Sequence, residues 1–215
     1  MSDIKPTESS LRRYRGSSGD ERRGERRVKL LEAAIREYGA LGYRNVGVRA
    51  VCAAAGLTER YFYEAFPNSE ALLIACLNAL TDQLISTVKE AGKQETADLT
   101  RRRRTMLRTY YQDLQLRAAA ARVFLIEING VSPAVDAAFA SSIDQFGDLI
   151  LDAFDPEREG VAAKDPMLLR GISGALLHIA IVWIAEAYAR PVDAVVDAAW
   201  KFCLLAEPSI EPSAR

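Results

Sequence analysis

The sequence predicts an all-α fold. Apolar residues recur at three- and four-residue spacing in successive segments, which is the period of a helix that buries one face. No segment alternates apolar and polar residues as a half-buried strand does. Glycine and proline separate the segments, and at 215 residues the chain is long enough for one or two compact domains.

Basic and acidic residues are unevenly distributed along the chain. Residues 1–66 hold 13 Lys or Arg and 9 Asp or Glu, whereas residues 111–215 hold 8 and 15. This asymmetry is typical of a nucleic-acid-binding module joined to a module that avoids nucleic acid. The charge pattern therefore favours a nucleic acid as one partner.

Residue types and motifs disfavour several other classes of protein. The three cysteines lack CxxC spacing and there is a single histidine, so we expect neither a disulfide framework nor a metal site. No cofactor motif is present, and Gly-x-Ser-x-Gly, the Walker phosphate loop and His-Glu-x-x-His are missing, so we expect no enzyme. The N-terminus lacks an apolar signal segment and no apolar run reaches the length of a bilayer, which predicts a cytoplasmic protein without a membrane partner.

A helix-turn-helix is predicted near residue 56. An Ala-rich helical stretch ends at Gly56, and two residues further on Thr58 offers its side-chain oxygen to the free N–H groups of a second short helix, residues 59 to about 65. An amphipathic helix of residues 26–41 precedes both. Three such helices form a DNA-binding domain whose last helix is sized for the major groove.

The chain divides into four predicted parts. Residues 1–24 are rich in Ser, Gly and Arg with almost no periodic apolar residues, so they are predicted to be flexible. The parts are a flexible basic arm (1–24), the helix-turn-helix DNA-binding domain (25–70), a helical C-terminal regulatory and dimerisation domain (71–207) and a flexible tail (208–215).

Several short motifs occur in a specific order between residue 27 and about residue 73. They are Gly42-Tyr43, Ala55-Gly56-Leu57-Thr58, Tyr61-Phe62-Tyr63, Phe66-Pro67 and Glu70-Ala71-Leu72. In this order they resemble the TetR family of repressors (TetR/AcrR-like). The resemblance implies a homodimer that binds a roughly palindromic DNA operator and releases it when a small-molecule effector binds the C-terminal domain.

The resemblance also implies which residues touch DNA. Tyr63 matches the phosphate-contacting tyrosine of the recognition helix, and Arg60 is the candidate for reading guanine, with a phosphate contact or a solvated arginine as alternatives. Phe62 and Phe66 are expected in the core. The full predicted set is Arg49, Thr58, Glu59, Arg60, Tyr61, Tyr63 and Ser69.

Three departures from the family pattern leave the preferred DNA sequence open. Val46-Gly47 stands where two threonines are usual, Ser69 stands where a lysine commonly contacts the backbone, and Arg60-Tyr61-Phe62 replaces smaller residues. They also leave open an all-helical interaction protein that has lost DNA binding, which salt-dependent duplex binding would distinguish. The arginines of the N-terminal arm either reach a minor groove or phosphates, or form a solvated tail.

The C-terminal domain is expected to hold the effector among its aromatic residues. Ordinary core packing is the alternative for each of them, and a hydrogen-bonded core position is favoured for the single histidine. The arginine run 101–104 sweeps more than one helical turn, so a solvated surface is expected there. The predicted pocket residues are Tyr110, Tyr111, Phe124, Glu127, Phe139, Phe146, His178 and Trp183.

The last two predicted helices carry apolar faces suited to a helical bundle that makes the dimer. One face lies on the final helix and the other on the helix before it. The residues are Val192, Val195, Val196, Ala199, Trp200 and Cys203 on the final helix, and Ala175, Ile179, Val182 and Trp183 on the preceding one.

Overall fold

The computed structural model describes residues 8–208, apart from the side chains of residues 8–18 and of Phe124. Within that range the chain forms helices and turns with no strand, as the sequence predicts. The α-helices are α1 (Glu8–Leu41), α2 (Val48–Ala55), α3 (Glu59–Ala65), α4 (Ser69–Gln94), α5 (Leu99–Leu116), α6 (Ala118–Arg122), α7 (Pro133–Phe154), α8 (Val161–Lys164), α9 (Pro166–Ala185) and α10 (Val192–Cys203).

The predicted helix-turn-helix is present as α2 and α3, packed against α1. α2 ends at Gly56, whose φ of 66° lies in the left-handed region that favours glycine, and the Leu57 N–H donates to the Cys52 carbonyl at 2.9 Å. Tyr38 of α1 and Phe62 of α3 are fully buried. Burial of these apolar faces holds the three helices together.

The structure differs from the prediction at the N-terminus. α1 begins at Glu8, so residues 8–24, expected to form a flexible arm, continue the helix of residues 26–41. The side chains of residues 20–25 are exposed, and an exposed part of a helix needs no apolar face. Residues 1–7 and 209–215, the ends of the predicted arm and tail, lie outside the described residues.

The remaining long helices form a bundle. α4 packs against α1, α5 and α7, and α9 and α10 pack against each other, with α7 against α9 and α5 against α10. Asn68 caps α4, since its Oδ1 accepts the Ala71 N–H at 2.8 Å. α4 thus belongs both to the DNA-binding domain and to the bundle.

By length and composition alone, α4 and α9 could each cross a membrane, a test that core helices of soluble proteins also pass. For α4, burial between α1, α5 and α7 accounts for its apolar residues. α9 buries one side, including Ile172 and Trp183, but leaves Val182 exposed on the other. The apolar outer side of α9 therefore has no partner within the described part of this chain.

The two halves of the protein meet where α1 crosses α6. A Cβ placed on Gly39 would lie 2.7 Å from the backbone of Ala119, so only glycine permits this crossing. After α6 the chain continues as a π-helical segment, Val123–Glu127, an arrangement that frequently marks functional sites. The close contact makes α1 a shared wall of both halves.

Gly39→Ala should destabilise the protein, although alanine favours a helix over glycine by about 1 kcal/mol. The added methyl group would collide with the Ala119 backbone, so α1 and α6 must separate. Gly24→Ala is the matched control, because the same helix leaves open space there. Thermal unfolding should show a lower Tm for Gly39→Ala and an equal or higher Tm for Gly24→Ala. An equal rise in Tm for both variants would contradict the close contact of α1 and α6 at Gly39.

Candidate functional site: recognition helix and internal cavity

The outward side of α3 presents two of the predicted DNA-contacting side chains. The Arg60 side chain is 85% exposed and Tyr63 is 58% exposed. The two residues are three positions apart and so lie on one face of the helix. Phe62 and Phe66 are buried on the other side, as predicted. The helix therefore offers a cationic group and a phenol to a partner.

Acidic neighbours hold the exposed arginines of this surface. The Arg60 Nε lies 3.1 Å from Glu64 Oε1, and the Arg49 Nε lies 2.8 Å from Glu59 Oε1 across the turn. Exposed ion pairs contribute about 0–1 kcal/mol, so phosphates can replace these carboxylates at little cost. Glu59 thus positions Arg49 in the free protein.

The other predicted contacts are placed less favourably. Tyr61 is half-buried beneath the Arg26 guanidinium, 4.5 Å from its ring centroid, which holds the ring against α1. Thr58 is exposed at the start of α3, but its side chain makes no capping hydrogen bond, contrary to expectation. Ser69 is half-buried in the first turn of α4.

Arginines of α1 extend the basic surface beside α3. Arg22, Arg23 and Arg26 border an open hollow together with Glu64 of α3. Arg27 stacks on the Phe66 ring at 4.2 Å and donates to the Ala65 carbonyl at 3.1 Å. The helical extension of α1 therefore places part of the predicted arm next to the recognition helix.

An apolar cavity of about 60 Å³ lies inside the bundle of the second half. α5, α7 and α9 supply most of its wall. The lining residues are Val88, Arg103, Met106, Leu107, Tyr110, Phe139, Ile143, Phe146, Leu149, Ile150, Ala153, Phe154, Ser173, Leu176, Leu177 and Cys203.

Three of the eight predicted pocket residues line this cavity, namely Tyr110, Phe139 and Phe146. Their rings come from facing helices, and the centroids of Tyr110 and Phe146 are 5.7 Å apart in an edge-to-face contact. The Phe124 side chain lies outside the described residues. The remaining four predicted residues lie elsewhere.

None of those four residues lines the cavity. Tyr111 and Trp183 are core residues whose polar atoms donate to the carbonyls of Leu176, at 3.1 Å, and Arg190, at 2.9 Å. His178 is exposed on the outer side of α9, so it is neither a core histidine nor a pocket residue. Its apolar neighbours in sequence gave no sign that this helix face lacks a partner.

Glu127, the fourth, connects the two halves of the protein. Its Oε2 accepts the Tyr43 backbone N–H at 2.9 Å, and its Oε1 accepts from Arg122 Nε at 3.3 Å. The Arg44 guanidinium donates to the Gly130 carbonyl at 3.2 Å nearby. The loop that follows α1 is thus bonded to the π-helical segment and to the turn before α7.

Sequence reasoning missed Arg103, which lines the cavity although the arginine run 101–104 was expected to be solvated. Only 11% of its side chain is exposed. The pattern that reveals it is the helical spacing of Arg103, Met106, Leu107 and Tyr110, which share one face of α5. Its three arginine neighbours have other orientations and are exposed.

The cavity wall carries few polar groups. Burial raises the pKa of the Tyr110 phenol. Burial also raises the pKa of the Cys203 thiol to about 12, so it stays protonated at neutral pH. Among the described residues, no three His, Cys, Asp or Glu side chains cluster to hold a metal ion.

Residues 30–76, which span the C-terminal third of α1 through the first turns of α4, match the family model for bacterial regulatory proteins of the tetR family. The HTH-type transcriptional activator FasR of Mycolicibacterium smegmatis is 24% identical over 198 residues, covering 90% of this chain and 89% of FasR. Residues 30–76 therefore form a TetR-family DNA-binding domain.

Solved structures of other regulators share the fold of this chain. The fatty acid degradation regulator FadR from Bacillus halodurans superposes with a TM-score of 0.71 at 16% identity, covering 83% of this chain and 94% of that one. FadR from Bacillus subtilis, crystallised in complex with stearoyl-CoA, gives a TM-score of 0.70 at 15% identity, covering 83% and 98%. The agreement extends the TetR-family fold through the cavity-bearing half.

One departure of this DNA-binding domain from the TetR-family motifs has a structural consequence. Gly47 occupies the N-cap of α2 with an extended backbone and no capping side chain, so no hydroxyl is available there for phosphate. The exposed cations on the two helices that flank the turn are Arg49 and Arg60. Both arginines are paired with glutamates, so DNA phosphates must replace these carboxylates when the arginines bind DNA.

Tyr63→Phe and Arg60→Ala should each weaken operator binding at least about tenfold, because a hydrogen bond to a charged group contributes about 1.5–3 kcal/mol. Binding is measured by fluorescence anisotropy on a duplex that the wild-type protein selects from genomic DNA. Arg190→Ala is the matched control, since Arg190 also pairs with a glutamate four residues away, at 2.9 Å, but lies remote from α3. Undiminished affinity in both α3 variants would contradict the assignment.

Proposed function

We propose that this chain is a ligand-responsive repressor that binds a roughly palindromic operator in the cytoplasm and releases it when a small molecule enters the bundle cavity. The observation that carries the proposal is the combination in one chain of an exposed recognition helix and an apolar cavity within the bundle. α1 and Glu127 join the two. A domain boundary near residue 70, within the first turn of α4, is part of the same proposal.

The effector we propose is a long acyl chain. The cavity wall is almost wholly aliphatic and aromatic, and it follows α7 from Phe139 to Phe154, about 22 Å along the helix axis. The related proteins point the same way: one FadR holds stearoyl-CoA, and the other is named a fatty acid degradation regulator. An extended apolar chain matches the length and the chemistry of this wall.

Binding such a chain requires the cavity to expand. Ligand pockets commonly measure 300–1,000 Å³, whereas this cavity is about 60 Å³. The side chains that must move, such as Met106 and Phe146, lie on α5 and α7. Expansion of the bundle would therefore accompany ligand binding.

We further propose that a second copy covers the outer sides of α9 and α10. Val182 is 40% exposed, and Phe202 and Leu205 of the C-terminal turns are also exposed. The predicted bundle face of α10, including Val195 and Cys203, is instead buried against α5 and α9 of the same chain. The homodimer would thus use the opposite faces, and it would supply two recognition helices to two half-sites.

The test of the proposed function uses the selected genomic duplex at several salt concentrations. Affinity should fall steeply with salt, because phosphate contacts release counterions. Stearoyl-CoA should release the duplex, and the duplex should weaken stearoyl-CoA binding by the same factor. Binding that does not depend on salt would favour the alternative, an interaction protein that has lost DNA binding. Equal affinity for stearoyl-CoA with and without the duplex would exclude effector-driven release.

Glu127→Gln should separate the two activities. The amide still fills the space but accepts the Tyr43 N–H less strongly, so the variant should bind the duplex nearly as well as the wild type while the factor by which lipid weakens DNA binding falls about fivefold. The measurement is duplex affinity with and without stearoyl-CoA. Glu90→Gln, which changes an exposed glutamate of α4, is the control; full lipid response in Glu127→Gln would contradict the coupling role.

A further inference from the structure

Arg103 stands at one end of the cavity with its guanidinium fully engaged. Its Nε donates to the Ala153 carbonyl at 2.7 Å and a terminal nitrogen donates to the Phe154 carbonyl at 3.1 Å. The other terminal nitrogen forms an ion pair with Glu207, and the guanidinium lies 4.7 Å from the centroid of the Phe154 ring. One basic side chain therefore closes this end of an otherwise apolar chamber.

The partners of Arg103 differ in how easily they can be replaced. The two carbonyls belong to the last residues of α7, where helical carbonyls lack partners within the helix, so they fix the guanidinium in place. Glu207 is a side chain of the segment that follows the final helical turn, and it is 35% exposed. The backbone thus preorganises Arg103, while the carboxylate is free to leave for solvent.

We propose that the anionic head group of the ligand displaces Glu207 from Arg103, so that the chain's own carboxylate occupies the head-group site until the ligand arrives. The inference rests on the proposed function and names the ligand class more closely: an apolar chain with an anionic end. A free fatty acid supplies a carboxylate, and an acyl-CoA supplies phosphates; Arg103 can pair with either.

The exchange is balanced in charge. Arg103 gives up one carboxylate and gains another anion, and Glu207 moves into water, where its charge is solvated. An uncharged ligand with the same chain offers nothing to Arg103, because removing Glu207 would leave a largely buried cation unpaired. Competition between Glu207 and the ligand would therefore select for anionic ligands.

Glu207→Gln removes the competing charge and keeps the shape of the side chain. We expect this variant of the full-length protein to bind stearate or stearoyl-CoA about tenfold more tightly than the wild type, and to bind octadecanol within twofold of the wild type. Arg103→Gln should weaken binding of the same anionic ligand about tenfold and leave octadecanol unchanged. Isothermal titration calorimetry measures all three ligands with each variant.

Asp197→Asn is the matched control. Asp197 pairs with Arg104 at 2.6 Å, and Arg104 lies 4.9 Å from the centroid of the Trp200 ring, so this is the same arrangement of acid, arginine and aromatic ring outside the cavity lining. The variant should bind all three ligands as the wild type does. A gain in stearate affinity there would point to a general charge effect rather than to the head-group site.

The outcomes separate the inference from the proposed function. A response of stearate alone identifies a carboxylate head group, and a response of stearoyl-CoA alone identifies phosphate; either supports the exchange. The exchange is wrong if octadecanol binding changes in the variants as binding of the anionic ligands does, or if the anionic ligands bind Glu207→Gln no better than wild type. Lipid-induced DNA release can still stand in both cases. If none of the three binds the wild type, both the exchange and the acyl effector fail.

Discussion

The close crossing of α1 and α6 is the constraint on which the rest of the structure depends. At Gly39 the two backbones approach so closely that no side chain fits between them. The same helix packs against α2 and α3 on its other contacts. Because one rigid element touches both the recognition helix and the cavity-bearing half, a shift of one half changes the position of the other.

Local sequence was sufficient to predict the DNA-facing elements. Helical periodicity around Gly56 gave the turn, and the same periodicity placed Phe62 inside and Arg60 outside. These features depend on residues a few positions apart, so spacing alone determines them. The N-terminal part of α1 could not be predicted in this way, because an exposed stretch of helix such as residues 20–25 needs no apolar residues at helical spacing.

The cavity was less predictable because its wall comes from helices distant in sequence. Aromatic residues were natural candidates for the cavity wall. Tyr111 and Trp183 instead donate hydrogen bonds to backbone carbonyls, and most of the wall is aliphatic. His178 lies within an apolar run of the sequence but is exposed, whereas Arg103 lies within a charged run but lines the cavity. Which face of a helix is covered depends on its tertiary partners, and the pattern of one helix does not reveal them.

The chain order suggests how expansion of the cavity would reach the DNA-binding half. α7 carries Phe139 and Phe146 in the cavity wall, and it begins directly after the turn whose Gly130 carbonyl accepts from Arg44. Glu127 lies just before that turn and accepts the Tyr43 N–H. An outward movement of α7 would therefore pull on both contacts at the end of α1. The π-helical Val123–Glu127 holds one residue more per turn than an α-helix would, so a change of its register could absorb such a movement without breaking the core.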